Sequence, residues 1–131
     1  MRADPRELAA VFAGGALGAI ARARLGEAFA HDPGSWSWAT LIANLTGAFL
    51  LGLVVAHAQH HPRPLRHARP LLGTGLCGAL TTFSAMQLEV LQMLDTGAVA
   101  LAAGYLAALL AGGLGAIALA DLLERRGPLH G

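Results

Sequence analysis

Residues 73–84 read GTGLCGALTTFS, and they lie inside a long apolar run. The run carries no Lys, Arg, Asp or Glu from Pro70 to Leu88, so its length and composition are those of a membrane-spanning helix. Three glycines and four hydroxyl residues nevertheless crowd its middle. Glycine weakens a helix by roughly 1 kcal/mol relative to alanine. We therefore expect a helix break near mid-membrane.

Such a break exposes backbone N–H and C=O groups that hydrocarbon cannot satisfy. It is tolerated only where the freed groups are buried in protein or line a wet or ion-filled cavity. The alternative is a continuous helix whose Ser and Thr side chains bond back to their own carbonyl groups. Composition alone leaves both interpretations open.

Three further apolar runs match the roughly 20 residues that a bilayer-spanning helix needs. The four predicted spans cover about 8–30, 36–58, 69–94 and 98–123, and turn-forming sequences separate them. The spans leave almost nothing for another domain, so residues 1–131 are expected to form a single all-α integral membrane domain. A transmembrane β-barrel is excluded because no segment alternates apolar and polar residues.

The composition agrees with a chain solvated by lipid. Only 13% of the residues are charged, against about 25% in soluble domains, and the mean hydropathy is +0.55. The net charge of +1 gives no basic face for nucleic acid. The one cysteine, Cys77, excludes an internal disulfide. No nucleophile, base and acid occur together at membrane depth, so an enzyme is not expected.

The arginines predict an orientation. Four spans place both termini and the loop between spans 2 and 3 on one side of the membrane, leaving at most Arg22 and Arg24 on the other. Cytoplasmic loops are enriched in arginine and lysine, so both termini are predicted to be cytoplasmic, in a bacterial inner membrane. The arginines on the terminal side are Arg2, Arg6, Arg63, Arg66, Arg69, Arg125 and Arg126.

Span 2 contains one amide, Asn44, at its centre, and Thr40 lies one turn earlier on the same face. An unpaired amide in apolar surroundings costs several kcal/mol, so Asn44 must face a partner helix or a pore. A purely structural interhelical hydrogen bond is the alternative.

Arg22 and Phe83 can each be interpreted in two ways, as a functional residue or as a structural one. Arginine near the membrane is costly and is by default a functional candidate, but it can also extend to the headgroups. A positive charge at a pore mouth raises the local anion concentration. A phenylalanine offers a positive ring edge to an anion, but most phenylalanines in membrane helices only pack.

Four histidines, His57, His60, His61 and His67, cluster around the second loop. His57 and His61 are one helical turn apart, which would permit a metal site. An ordinary surface-loop cluster is the alternative that we favour.

Taken together, the motifs resemble the Fluc (CrcB) family of fluoride channels over nearly the whole chain. Span 1 has GGALG at residues 14–18, followed by Arg22. Residues 39–52, ATLIANLTGAFLLG, look like the family's GT-x3-NL-x-G-x-F-x2-G pattern and include Gly47. Residues 75–84 look like its GxxGG[FL]TTFS core.

The resemblance implies a fluoride-selective channel that exports cytoplasmic fluoride passively and confers fluoride resistance. It implies an antiparallel dimer of four-helix subunits with two pores, and a structural sodium ion (Na+) held at the dimer centre by the backbone carbonyls of Gly78 and Thr81. Asn44 would donate to fluoride, Phe83 would offer its ring edge, and Arg22 would lie near a vestibule. The other implied pore residues are Thr82, Ser84, Leu80 and Tyr105, with Thr40 and Gly47 in support.

Several positions depart from the family pattern. Leu80 stands where many members have a second pore phenylalanine, Ala79 replaces a glycine, and Leu109 falls where a serine is common. These departures put conduction by both pores in doubt. The bias of seven arginines against two favours a fixed orientation, and hence pairing with an oppositely inserted paralogue over pairing with an identical chain.

Two rival functions remain for comparison. A four-helix proton-coupled multidrug exporter needs an acidic residue inside the membrane, and none is expected at mid-span here. A non-transporting membrane scaffold would explain the small residues on the helix faces but not Asn44 and the GALTTFS stretch.

Overall fold

The computed structural model describes residues 4–60 and 69–126. Over these residues the chain is all-helical, and four segments are long and apolar enough to span a membrane: Pro5–Ala28, Trp38–His60, Arg69–Asp95 and Val99–Arg126. The prediction of four helices long and apolar enough to span a membrane is thereby confirmed, and their ends lie within three residues of the predicted ones. The assignment of residues 1–131 to a single domain stays a prediction.

Helix α1 is Pro5–Ala28, α2 is Trp38–His60, and α5 is Val99–Arg126. The third span is not one regular helix. A π-helix, Arg69–Cys77, is continued by the short helix α3, Gly78–Leu80, and α4 covers Phe83–Asp95. π-Helical geometry is rare and is often found at functional sites.

Thr81 and Thr82 separate α3 from α4. Thr81 has φ −77° and ψ 148°, and Thr82 has φ −148° and ψ 118°, so both have extended backbone between two helical segments. Thr82 is the N-cap of α4, because its hydroxyl accepts a hydrogen bond from the Ala85 N–H at 3.2 Å. A hydroxyl at this position satisfies one of the free amides that begin a helix.

Glycines allow α1 to pack directly on the π-helix. A Cβ added to Gly14 would lie 2.0 Å from the carbonyl oxygen of Leu71, and one added to Gly18 would lie 2.4 Å from that of Leu76. Close backbone approach between small residues is how helices associate in lipid, where apolar surface gives little driving force. Gly14 and Gly18 therefore form the packing surface of α1 against the third span.

The second contact surface joins α2 to α5 along most of their length. Gly52 faces Ala120, and Gly112 faces Leu45. Near the other end of α5, Tyr105 and Ala102 form a buried cluster with Met93 of α4. The three-residue connection 96–98 places α4 and α5 side by side.

Large apolar surfaces stay uncovered within the chain. In α1 only 11% of the most apolar 18-residue stretch is buried, and the share is the same in α5. Phe12 is 80% exposed and Phe83 is 68% exposed. Exposed apolar area of this extent is expected of a multi-pass membrane protein, whose outer helix faces contact lipid or other membrane subunits.

The histidine cluster divides between helix and undescribed residues. His57 and His60 lie in the last turn of α2 rather than in a loop, which corrects that part of the sequence interpretation. His57 Nδ1 lies 2.7 Å from Glu124 Oε1, so this histidine links α2 to α5. His61 and His67, together with Arg2, Arg63 and Arg66, lie outside the described residues.

Replacing Gly14 with alanine tests the packing of α1 on the π-helix. The new methyl group would overlap a backbone carbonyl that cannot rotate away, so we expect a loss of at least about 2 kcal/mol of stability. Gly26→Ala is the matched control, because nothing lies within 4 Å of its added Cβ. Thermal unfolding in detergent measures both, and equal melting temperatures would contradict the close approach.

Candidate functional site

The side chain of Asn44 is bonded to the backbone between α3 and α4. Its Oδ1 accepts a hydrogen bond from the Thr82 N–H at 2.8 Å, and its Nδ2 donates to the Thr82 carbonyl at 3.3 Å. The amide thus satisfies both peptide groups of Thr82 as a neighbouring strand would. Because Nδ2 carries two hydrogens, one remains available for another acceptor.

Thr81 is fixed from two directions. Its hydroxyl donates to the Cys77 carbonyl at 2.8 Å, and its backbone N–H donates to the same oxygen at 3.0 Å. Gly47 of α2 lies against the Thr81 methyl group, since a Cβ at Gly47 would approach it to 2.2 Å. A side chain at position 47 would therefore push α2 away from the interruption.

The interruption leaves backbone oxygen atoms free. In a continuous helix the Gly78 carbonyl would accept from the N–H of Thr82, which is instead bonded to Asn44. Among residues 4–60 and 69–126, no hydrogen bond ends on the carbonyl oxygen of Gly78 or Thr81. Two uncommitted carbonyl oxygens fit the oxygen ligands that a hard cation such as sodium prefers.

Glu89 of α4 is a buried acidic residue that the sequence interpretation missed. Its side chain accepts a hydrogen bond from the Thr40 hydroxyl at 2.7 Å and another from the Tyr105 hydroxyl. The residue is only 8% exposed. The expectation of no acidic residue at mid-span is not contradicted, because Glu89 lies between the middle and the end of the third span, but the burial of Glu89 was not predicted. Glu89 lies just beyond the charge-free run and seven residues after Thr82, a spacing of two helical turns that places both on one face.

Tyr105 is fully buried and contacts Trp36, whose ring centre is 5.3 Å away in an edge-to-face arrangement. The tyrosine thus joins the apolar cluster of α4 and α5 to the polar group around Glu89. Thr40, which was predicted as a supporting residue, belongs to the same group.

The other predicted pore residues are either exposed or buried within the chain. Phe83 projects from the first position of α4 and is 68% exposed. Ser84 is also exposed, with its hydroxyl 3.4 Å from that of Thr82. Leu80, at 4% exposed, is buried within the chain. The structure therefore brings Asn44 and Thr82 together and leaves Phe83 at the surface.

Arg22 borders a crevice of about 220 Å³ between α1, α2 and α4. Thr82 and Glu89 also line this crevice, as does His31 from the loop that precedes α2. A positive side chain thus shares one cavity with the residue at the helix interruption.

These features define the class as a multi-pass α-helical membrane protein with an interrupted third span whose backbone is held by a side-chain amide. The model of the family described as "CrcB-like protein, Camphor Resistance (CrcB)" matches residues 9–120. The chain belongs to the CrcB family.

Relatives are similar over most of their length. A protein of Mycolicibacterium paratuberculosis named fluoride-specific ion channel FluC 1 is 53% identical over 123 residues, covering 94% of this chain and 93% of that protein. FluC of Pectobacterium carotovorum is 42% identical over 88% of this chain and 91% of its own. FluC 2 of Nocardia farcinica is 38% identical, over 88% and 83%.

Removing the Asn44 amide tests what it contributes to the interruption. In Asn44→Ala both peptide groups of Thr82 lose their partners, and each buried unsatisfied group costs about 1–3 kcal/mol. We expect a melting temperature in detergent several degrees below that of the parent chain. Thr46→Ala, on the exposed face of the same helix, is the control and leaves it nearly unchanged. A mild effect of Asn44→Ala, equal to that of the control, would show that the amide does not stabilise the interruption.

Proposed function

We propose that this chain is a subunit of a fluoride-selective channel that lets cytoplasmic fluoride leave the cell passively. The observation that carries the proposal is the amide of Asn44 bonded to the extended backbone at Thr82, within a chain 53% identical to a protein named as a fluoride-specific ion channel. The function is transport, not catalysis.

The interruption at Thr81 and Thr82 lies near mid-membrane in this proposal. Twelve residues of the third span precede it and thirteen follow it. A break at that depth persists because Asn44 replaces the lost helical hydrogen bonds, and because Thr82 itself caps α4.

Fluoride binds where donors and ring edges replace its water. Moving a small anion into low dielectric costs of order 20 kcal/mol by idealised Born estimates, so every lost hydration contact needs a substitute. The second amide hydrogen of Asn44 is one donor, and the hydroxyls of Thr82 and Ser84 are others close by. The exposed ring of Phe83 supplies a positive edge. Selectivity follows from pore width and donor placement.

Tyr105 and Leu80 are buried within the chain, so in this proposal they belong to the pore by holding its neighbouring groups in place. Tyr105 holds Glu89, and Leu80 ends the helix that precedes the interruption. Arg22 raises the anion concentration at the vestibule.

A structural sodium ion would be held by the carbonyl oxygens of Gly78 and Thr81. Its positive charge would offset the cost of an anion nearby and would hold two subunits together. The same two carbonyls of a second, inverted subunit would complete its ligands. This arrangement agrees with the free state of both oxygens in the described chain.

The partner in this proposal is an oppositely inserted paralogue, because seven of the nine arginines lie on the terminal side. Both termini are cytoplasmic, in the inner membrane of a bacterium. The uncovered face around Phe83 gives the second subunit a surface to contact.

A proton-coupled exporter is the weaker alternative. Such a transporter needs an acid inside the membrane, and Glu89 is a buried acid of the third span, although it does not lie at mid-span. The family assignment decides between the two instead, since relatives from three bacterial genera carry the name of an ion channel. A non-transporting scaffold is disfavoured for the same reason.

Fluoride efflux from liposomes tests the proposal, first with the chain alone and then with an inverted paralogue. Efflux of fluoride but not chloride is expected in at least one arrangement. Phe83→Ala lowers the efflux rate by about tenfold or more, a barrier increase of roughly 1.4 kcal/mol, because the ring edge is lost. Phe12→Ala is the matched control, since Phe12 is still more exposed on another helix. Equal rates for both variants, or efflux of chloride at the same rate as fluoride, would refute the assigned pore.

A fixed orientation is tested by labelling one cysteine added to the C-terminal tail. The native Cys77 is 2% exposed and stays unlabelled by a membrane-impermeant reagent. We expect labelling from the cytoplasmic side only, because the arginine bias opposes translocation of the tails. Equal labelling from both sides would mean dual insertion and would remove the case for a paralogue.

A further inference from the structure

A crevice of about 240 Å³ lies between α2 and the π-helix, where the third span begins. The four-span topology places the start of this span on the terminal side of the membrane, together with the end of α2. The crevice is distinct from the one beside Arg22, because the two share no lining residue among those described. Its described lining consists of Leu51, Val54, Val55, Arg69, Gly73 and Thr74.

Arg69 brings a positive charge to this crevice, and no acidic side chain pairs with it. The residue is exposed, it forms no ion pair within residues 4–60 and 69–126, and the described lining contains no Asp or Glu. Arg125, on the same side of the membrane, is by contrast bound to Asp121 at 2.8 Å. Because arginine stays protonated at any physiological pH, Arg69 is a fixed positive charge at the mouth of the crevice.

Thr74 brings a hydroxyl group that has no partner among the described residues. It is exposed, and it lies five residues beyond Arg69 in the same span. A threonine inside a membrane helix commonly bonds back to a carbonyl one turn earlier, as Thr81 does to Cys77. A hydroxyl without a partner is costly in hydrocarbon. We therefore expect Thr74 to face water, an ion or another polar group rather than lipid.

A second cavity continues the crevice towards the helix interruption. It measures about 480 Å³, shares Leu51, Gly73 and Thr74 with the crevice, and extends to Gly78 and Thr81. The Thr81 hydroxyl is already committed to a carbonyl oxygen. Thr74 thus carries the one uncommitted hydroxyl among the described residues that line this second cavity.

The side of the groove that α2 forms is continuous with Asn44. Gly47 and Leu51, which line the second cavity, follow Asn44 by three and seven residues, a spacing that places all three on one face of the helix. The two cavities together therefore form a groove from Arg69 on the terminal side to the interrupted backbone that Asn44 holds.

We propose that this crevice is the cytoplasmic entrance for fluoride, in which Arg69 concentrates the anion and the Thr74 hydroxyl donates a hydrogen bond to it. The inference rests on the proposed fluoride channel and adds to it the two residues that admit the anion. With both termini in the cytoplasm, the crevice opens on the side from which cytoplasmic fluoride enters. A positive charge raises the local anion concentration, and a hydroxyl replaces one of the water molecules that the anion loses.

Two pairs of substitutions test the proposal by fluoride efflux from liposomes, in the arrangement in which the parent chain conducts and below saturating fluoride. Thr74→Val removes the hydroxyl and is expected to lower the rate about fivefold, the effect of one neutral hydrogen bond. Thr74→Ser keeps the hydroxyl and the parent rate. Arg69→Gln removes the charge and lowers the rate roughly threefold at low ionic strength, and Arg69→Lys keeps the parent rate.

The dependence on salt and on fluoride concentration separates the two roles. The loss in Arg69→Gln shrinks at high salt and at saturating fluoride, because an exposed charge acts on the local anion concentration and is screened. The loss in Thr74→Val persists at high salt, because a direct hydrogen bond to the anion does not depend on screening.

Matched controls exclude a general effect of the substitutions. Thr46→Val changes an exposed threonine of α2, and Arg126→Gln changes an exposed arginine at the end of α5. Neither residue lines the crevice or the second cavity, so both variants are expected to keep the parent rate. The melting temperature of Thr74→Val in detergent is expected to equal that of the parent chain.

The outcomes distinguish the entrance from the channel itself. A parent-like rate in Thr74→Val or in Arg69→Gln overturns the entrance and leaves the channel standing. Equal losses in the matched controls, or a loss in Arg69→Gln that high salt does not reduce, also overturn it. Absence of fluoride efflux from the parent chain, alone and with its paralogue, overturns the channel and this inference with it.

Discussion

The hydrogen bonds between Asn44 and Thr82 are the interaction on which the rest of the site depends. An interrupted helix in a membrane must find partners for its freed peptide groups, because lipid offers none. One side-chain amide on α2 accepts from the Thr82 N–H and donates to the Thr82 carbonyl, at 2.8 and 3.3 Å. Because the Thr82 N–H is bonded to Asn44, it does not donate to the Gly78 carbonyl, which would be its partner in a continuous helix.

The pairing of Asn44 with Thr82 affects the side chain and the carbonyl groups next to it. The helix ends at Leu80 and begins again at Phe83, so the Phe83 ring projects from the chain. Within the described residues, the carbonyls of Gly78 and Thr81 accept no hydrogen bond. Close packing fixes the position of the interruption, since Gly47 lets α2 approach Thr81 to contact distance.

Much of this could be predicted from the sequence, for identifiable reasons. Span number and approximate ends follow from the length of apolar runs, which the bilayer thickness fixes. The importance of Asn44 follows from the cost of an unpaired amide. The role of Glu89 was not predicted. This residue lies just outside the charge-free run of the third span, and the length of such a run gives no information on the helix face that a flanking acid occupies. Its bonds to Thr40 and Tyr105 come from residues 49 and 16 positions away in the chain.

Hydropathy and glycine content are local properties, so they predict a four-span helical membrane protein with a weak point in its third span without knowledge of any contact between helices. Contacts between helices settle which partner satisfies that weak point, which carbonyls accept no hydrogen bond among the described residues, and that Arg22, His31 and Glu89 line one crevice. The physical reason is that these are contacts between helices, and in lipid their alignment is set by close packing of small residues rather than by any periodicity within one segment.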